Sequence, residues 1–296
     1  TTEPVVLGRS EHSISRRHID PDALRILFRL HSLGFTAYLT GGAVRDLLLG
    51  KDPKDFDIAT DARPGQVKKH FGNAFIIGRR FRLAHIRFRG GKIIEVATFR
   101  RDPGPDAPEL PAAGIAPACA FGTPAQDAWR RDITVNALFY DPVSAALIDH
   151  VGGLADLRSR RIRVIGNAGE RFREDPVRVW RVIRYAARLG FVIDEEAGRE
   201  IIAQRHLLSA CSSARLFEEF CKDLLGPQAR SVVTGLKNYG ILHLLLGHIG
   251  EAFEADPRLF DWACELLDIA DREKALHRDP GLGEMTVLFF WPWVES

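Results

Sequence analysis

Two aspartates, Asp55 and Asp57, stand one residue apart in DFDIAT. In an extended strand alternate residues share a face, so both carboxylates would project together from backbone positions roughly 6–7 Å apart. Like charges placed this way repel unless a cation lies between them, and hard oxygen ligands suit Mg²⁺, with Mn²⁺ as the alternative. A lone Asp-x-Asp would equally fit an exposed turn with solvated carboxylates. Glu95 is a third acid, set among Ile93, Ile94, Val96 and Ala97. A carboxylate buried among such neighbours needs a partner or a metal; an exposed edge-strand glutamate is the competing reading. If the segment carrying Glu95 pairs beside the DFD strand, the three acids make a two-metal phosphoryl-transfer centre. One ion would activate an attacking hydroxyl and the other would neutralise a triphosphate.

Gly41 and Gly42 precede a short helix that begins Val44-Arg45-Asp46. Glycines let backbone amides approach a phosphate closely, and a helix start aims further amides at it. Arg45 is placed to clamp phosphates and Asp46 to orient an arginine. His85 is read as structural, because metal ionisation of a hydroxyl needs no side-chain base.

The elements that position these groups follow from capping and periodicity. Asp20 as N-cap, Pro21 in the first turn and Ala23, Ile26, Leu27, Leu30 and Leu33 at helical spacing predict a helix closed by Gly34. A strand is expected over 35–39, another over 55–59, and a helix from Pro64 to near Gly72. Residues 81–88 and 92–99 alternate β-branched and aromatic residues around Gly90-Gly91, a hairpin signature. The Pro-, Gly- and Ala-rich stretch 101–125 predicts a long loop. Helix is expected again over 127–138, with short strands at 146–148 and 161–165. From Pro176 onward the pattern is helical, so an α/β head is expected to give way to an all-helical remainder near residue 166.

Bulk properties narrow the class. The 296 residues are 46% apolar, enough for a sizeable core. Cys119, Cys211, Cys221 and Cys264 are widely spaced with no CxxC pair, so neither a zinc site nor a disulfide framework is indicated, and a reducing, cytoplasmic setting is expected. No run reaches the roughly 18 apolar residues of a membrane span, and the start lacks the apolar core of a signal peptide. The net charge is +2, but residues 158–188 hold ten arginines against three acids, whereas residues 251–280 hold nine acids against four basic residues. If Pro176 starts a helix, Arg178, Arg181, Tyr185 and Arg188 share one side, suited to nucleotide or RNA phosphate; a solvated surface would look similar.

GGAVRD (41–46), KDFDIAT (54–60), RRDITVNAL (130–138) and REDPVRVWRVIRYAARLGF (173–191) together resemble, in order, the motifs of the bacterial class II nucleotidyltransferases, which comprise poly(A) polymerases and tRNA CCA-adding enzymes of the polymerase β-like superfamily. The resemblance implies an α/β nucleotidyltransferase head with a small mixed sheet over 1–165, a helical neck over 166–230 and a helical, partial body over 231–296. It implies Asp55, Asp57 and Glu95 as catalytic metal ligands, and Gly41, Gly42 and Arg45 at the triphosphate. Arg131, Asp132 and Asn136 would surround the ribose and phosphates. Asp175 and Arg178 would read the base edge, steadied by Arg215 with Glu218 or Glu219. It also implies RNA 3′ ends as substrate and partner and RNA-decay proteins as further partners; the sequence leaves the oligomeric state open, with a monomer favoured.

IIGRRFRLAH (76–85), HSISRRHID (12–20) and SARLFEEF (213–220) resemble poly(A) polymerases in particular. That likeness favours addition of AMP from ATP, with CCA or partial A or C addition to tRNA as the alternative. Arg79, Arg80 and Arg82 form a basic cluster suited to triphosphate or RNA backbone. Three features depart from the pattern. Trp180 stands where leucine is common, ACAFG (118–122) lacks polar residues usual there, and the chain ends after LFFWPWVE, so a continuation of the body is expected.

Overall fold

The computed structural model describes residues 3–78, 82–101, 121–276, 278 and 280–295. Arg79, Arg80, Cys119 and residues 102–120 of the expected 101–125 loop lie outside them. The chain divides into two compact units, residues 1–159 and 160–296.

In the first unit the elements run β1 (Val5–Leu7), α1 (Pro21–Ser32), β2 (Ala37–Thr40), α2 (Gly42–Leu48), β3 (Asp57–Thr60), α3 (Pro64–His70), β4 (Ala74–Ile77), β5 (Leu83–Arg87), β6 (Ile93–Thr98), α4 (Pro124–Trp129), β7 (Leu138–Asp141), β8 (Ala146–Asp149) and α5 (Gly153–Arg158). The strands form one mixed sheet in the order β1-β8-β7-β2-β3-β6-β5-β4. Every pairing is antiparallel except β3 with β6. Helix α1 starts where Asp20 accepts the Asp22 and Ala23 N–H groups at 2.8 and 3.2 Å, and it buries Ala23, Ile26, Leu27 and Leu30. Burial alternates in β5 and β6 as a half-covered sheet requires, whereas β3 is buried throughout after Asp57. Ile58, Thr60, Ala84, Ile86, Ile94, Val96 and Thr98 are buried on one face, where α1 meets β3 and α3 meets β5 and β6. The other face carries Asp57, Glu95 and His85.

Two expectations need correction. Strand β3 begins at Asp57, so Asp55 lies in the lead-in segment. The expected 127–138 helix is α4, which ends at Trp129, followed by a 3₁₀ turn over Thr134–Asn136. The β-branched and aromatic content after Trp129 favours β structure, and Leu138–Asp141 becomes a central strand pairing β2 and β8. The Gly90-Gly91 connection has the positive φ angles expected of it, 77° and 81°.

The second unit contains β9 (Arg161–Ile162), α6 (Ala168–Glu174), α7 (Val177–Leu189), β10 (Val192–Ile193), α8 (Glu195–Gln204), α9 (Ser213–Leu225), α10 (Ala229–Asn238), α11 (Ile241–Leu246), α12 (His248–Ala255), α13 (Pro257–Ala275) and α14 (Leu282–Glu295). It is almost entirely helical, but β10 returns to pair in parallel with β9, a strand the helical reading missed. Two residues are too few for periodicity to register. The apolar run near residue 290 is helical in α14, with Phe289 buried edge-on to Phe220 and Phe253, while Trp291 and Trp293 are exposed.

Candidate active site

The parallel pairing of β3 and β6 sets Ile58 beside Val96 and Ala59 beside Ala97. One step back along both strands, Asp57 and Glu95 stand side by side on the open face. The antiparallel β5–β6 register then puts His85 opposite Glu95, with Nε2 at 3.1 Å from Oε1. The condition stated for the third carboxylate is therefore met by the strand order. The reasoning that Glu95 is buried is not: strand alternation sends Ile94 and Val96 inward, and the Glu95 side chain remains 49% exposed. Neither is it on an edge, since β6 lies between β3 and β5.

The Asp57 carboxyl is pushed up to about 6 by partial burial and by repulsion from Glu95, against the attraction of Arg131, with Asp55 adding further repulsion. Its atoms remain reachable from solvent. The surrounding protein removes part of the carboxyl's hydration without sealing it off. Crowded carboxylates that disfavour their own ionisation are a donor set that a divalent cation would relieve. Among the described residues, no three His, Cys, Asp or Glu side chains are drawn together into a metal-holding group. The donor chemistry fits a hard cation, and the side chains as they stand are not closed around one.

Gly41 follows Thr40, the residue paired with Asp57 across β2 and β3. Its φ of 74° with ψ of −143° is ground that side-chain-bearing residues rarely occupy. A Cβ there would stand 3.6 Å from Asp57 Oδ2 and 3.7 Å from Arg131 Nη1, so the Gly41 backbone lies against both groups. Gly42 opens α2 and lies against the guanidinium of Arg45.

Arg45 is nearly buried. Its Nε and Nη2 donate to the two Asp46 oxygens at 2.8 and 3.0 Å, and its Nη1 donates to Asn136 Oδ1 at 2.6 Å. The proposed orienting role of Asp46 thus has a bidentate geometry behind it. Asn136 also accepts, through its backbone carbonyl, from Arg131 Nη1 at 3.0 Å, so one residue ties both arginines together. Arg131 is fixed a second time by Asp127, whose Oδ2 accepts from Nε and Nη2 at 3.1 and 2.9 Å. Asp132 is half-buried in the turn after α4.

Asp127 and His85 had no assigned part in the site as read from the sequence. Asp127 was detectable as an acid four residues before Arg131. His85 needed the hairpin register, which depends on tertiary pairing.

In the second unit, Asp175 precedes α7. Its Oδ1 accepts from Val177 N at 3.2 Å and its Oδ2 from Arg215 Nη2 at 2.8 Å, so each carboxylate oxygen has a protein partner, while the N-cap of α7 is Pro176. Arg178 Nη1 donates to Glu174 Oε2 at 2.7 Å and to the Arg171 carbonyl at 2.9 Å, a partner the sequence reading had not named. The Arg215 guanidinium is held above its ordinary value chiefly by its hydrogen bond to Asp175, and Glu219 adds attraction. Glu218 is exposed and pairs with Lys222 at 2.9 Å, whereas Glu219 pairs with Arg184 at 2.5 Å. The arginine-rich stretch is not one basic surface. Arg171 and Arg184 are buried, and Arg188 donates to the Lys222 carbonyl and to Asp223, so helix α7 presents less positive charge than its spacing implies.

A family model described as the poly A polymerase head domain matches residues 37–163, and one described as a probable RNA and SrmB-binding site of polymerase A matches residues 190–252. The chain is 43% identical over 254 residues to poly(A) polymerase I of Salmonella typhi, covering 84% of this chain and 54% of that protein. It is 38% identical over 205 residues to the CCA-adding enzyme of Bacillus pumilus, covering 69% and 50%. This chain belongs to the bacterial poly(A) polymerase and tRNA nucleotidyltransferase family.

Family likeness extends to three dimensions. The CCA-adding enzyme of Bacillus stearothermophilus, solved in complex with CTP, superposes with a TM-score of 0.66 at 26% identity, over 94% of this chain and 83% of that one. The chain spans about half the length of the curated relatives it matches, 54% and 50% for the two named. Among the described residues no helix is long and apolar enough to cross a membrane, and Cys211, Cys221 and Cys264 are free thiols.

Proposed function

We propose that this chain transfers AMP from ATP to the 3′ hydroxyl of RNA. The 3′ oxygen attacks the α-phosphorus, the bond to the β-phosphate oxygen breaks, pyrophosphate leaves and the hydroxyl proton passes to solvent. The observation that carries this reading is the alignment of Asp57 and Glu95 on one open sheet face, with the Gly41 backbone and Arg131 against Asp57. Asp55, Asp57 and Glu95 would hold Mg²⁺ or Mn²⁺, which when bound supplies hydroxyl activation and charge neutralisation at the phosphates. Gly41 and Gly42 give a phosphate close access to backbone. Arg45 and Arg131, pinned through Asn136, Asp46 and Asp127, present fixed positive charge and need little reorganisation as the pyrophosphate leaves.

Asp175 and Arg178 are assigned to the base. Each carboxylate oxygen has two acceptor positions, so Asp175 can keep Arg215 and Val177 and still accept from an exocyclic amine. Arg178 would donate to the adjacent ring nitrogen. Adenine and cytosine share that amine-and-acceptor edge, whereas guanine and uracil present a carbonyl there, so the pair admits A and C and rejects G and U. The choice of ATP over CTP is supported by the higher identity to a poly(A) polymerase than to a CCA-adding enzyme. CCA or partial A or C addition to tRNA is the second reading, favoured by the structural likeness to the CTP-bound enzyme. RNA 3′ ends are the proposed partner, with RNA-decay proteins as family-type partners; a reducing, cytoplasmic setting fits the free thiols of Cys211, Cys221 and Cys264.

The test is extension of an unstructured oligoribonucleotide and of a tRNA lacking its CCA end by each triphosphate separately with Mg²⁺. ATP-dependent tailing of the oligoribonucleotide is expected. Ordered C then A addition confined to the tRNA would replace the first reading with the second, and no incorporation on either would remove both. Arg178→Ala should lower the ratio of kcat/KM for ATP over CTP; an unchanged ratio would remove Arg178 from base reading.

A further inference from the structure

We propose that Trp180 and Asp223 are positioning residues for base selection, setting the register of α9 on α7 and through it the Arg215–Asp175 contact. The inference rests on the base-reading assignment above. Because adenine and cytosine offer the same edge pattern, an Asp and an Arg cannot separate them by hydrogen-bond type. The two bases differ in how far that edge lies from the ribose. Selection between them therefore depends on where Asp175 and Arg178 are held.

Helix α9 carries Arg215, Glu219 and Asp223 at four-residue spacing, one ridge of the helix. Arg215 grips Asp175 at the entry to α7. Glu219 pairs with Arg184 at 2.5 Å. Asp223, fully buried, receives Trp180 Nε1 at 2.5 Å and Arg184 Nη2 at 3.2 Å on Oδ2, and Arg184 Nε and Arg188 Nη2 on Oδ1, the latter at 3.2 Å. A buried carboxylate is tolerated only with its oxygens engaged. Sliding α9 along α7 would strand Asp223 among apolar groups and leave the fully buried indole N–H of Trp180 without an acceptor, so this network admits one register.

Trp180 also resolves a departure noted in the sequence. A leucine, which the resemblance leads one to expect at that position, has no N–H and asks for no acceptor on α9. Here the indole on α7 and Asp223 on α9 require one another, and Asp223 shares its ridge with Arg215.

The experiment measures kcat and KM for ATP and for CTP on an oligoribonucleotide with the full chain, its Trp180→Phe and Asp223→Asn variants, and each combined with Arg215→Ala, recording Tm for every protein. Trp180→Phe keeps an aromatic ring and removes only the donor and some volume. The expected result is a fall of about three- to tenfold in the ATP-to-CTP ratio of kcat/KM, with no additional fall when Arg215→Ala is already present. A folded Trp180→Phe protein with the parental ratio would overturn the proposal, as would losses that multiply with that of Arg215→Ala. If Asp223→Asn does not fold, Trp180→Phe decides. An unchanged ratio in Arg178→Ala would instead strike the base-reading assignment, which keeps the two failures distinct.

Discussion

At the scale of single residues, the candidate site is a balance of like charges held just short of comfort. Asp57 sits beside Glu95 and near Asp55, with Arg131 as the opposing charge. Its raised carboxyl pKa means that ionisation in the folded protein is disfavoured relative to an ordinary aspartate. Asp57→Asn is therefore expected to raise Tm slightly without divalent cation, by roughly 1–3 °C, while lowering kcat by on the order of a thousandfold. A variant that is both destabilised and active would contradict the assignment. Asp55, Asp57 and Arg45 were legible as candidates because their types are restricted and their spacing is short. Their partners were less so: Asp46 is adjacent to Arg45 and was foreseen, but Asn136 is 91 residues from the Arg45 side chain it accepts from. The case for burial of Glu95 failed because apolar sequence neighbours on a strand occupy the opposite face.

At the scale of elements, chain ends and caps were the most readable features. The Asp20-Pro21 start of α1 has the hydrogen bonds its sequence implies, and Lys92 Nζ adds contacts at 3.0 Å to both Asp20 oxygens. Burial alone would raise the Asp20 carboxyl, but Lys92 and the Asp22 and Ala23 N–H groups outweigh it and hold it below its ordinary 3.8. A depressed carboxylate contributes stability above its unfolded pKa and loses it as pH falls through the lower folded value. Asp20→Ala should cost about 1 kcal/mol near neutral pH, with the difference from the parent shrinking once pH drops below 3.8. Equal destabilisation at pH 7 and pH 2.5 in denaturant titrations would rule out the charged contribution. The hairpin was visible from alternation around Gly90-Gly91, yet its placement against β3 was not, because strand order depends on pairings distant in sequence. Helix α4 was overextended for a related reason. Thr134, Val135 and the Leu138–Asp141 strand are apolar enough to suit either period, and pairing with β2 decided between them.

At the scale of the whole molecule, the chain comprises a mixed-sheet head and a second, helical unit. The net charge of +2 conceals an arginine-rich segment partly consumed in internal ion pairs, with Arg184 bound to Asp223 and Glu219. RNA affinity should therefore depend on salt more weakly than ten arginines would suggest. A plot of log K against log salt for a single-stranded oligoribonucleotide should have a slope corresponding to about three to six phosphate contacts at roughly −0.7 per contact. A slope near −7 would show that the arginines counted as internal are instead available to RNA. The sequence by itself determined the inventory: the Asp-x-Asp pair, the Gly41-Gly42 turn, the Asp20-Pro21 start of α1 and the change from an α/β head to a helical remainder, because those depend on residue type and short-range spacing. Only the tertiary structure decided which side chains meet. It put Glu95 beside Asp57 through a parallel pairing, joined Arg45 to Arg131 through Asn136, and sank Arg184 against Asp223, since hydrogen-bond partners are selected by the packing of elements far apart along the chain.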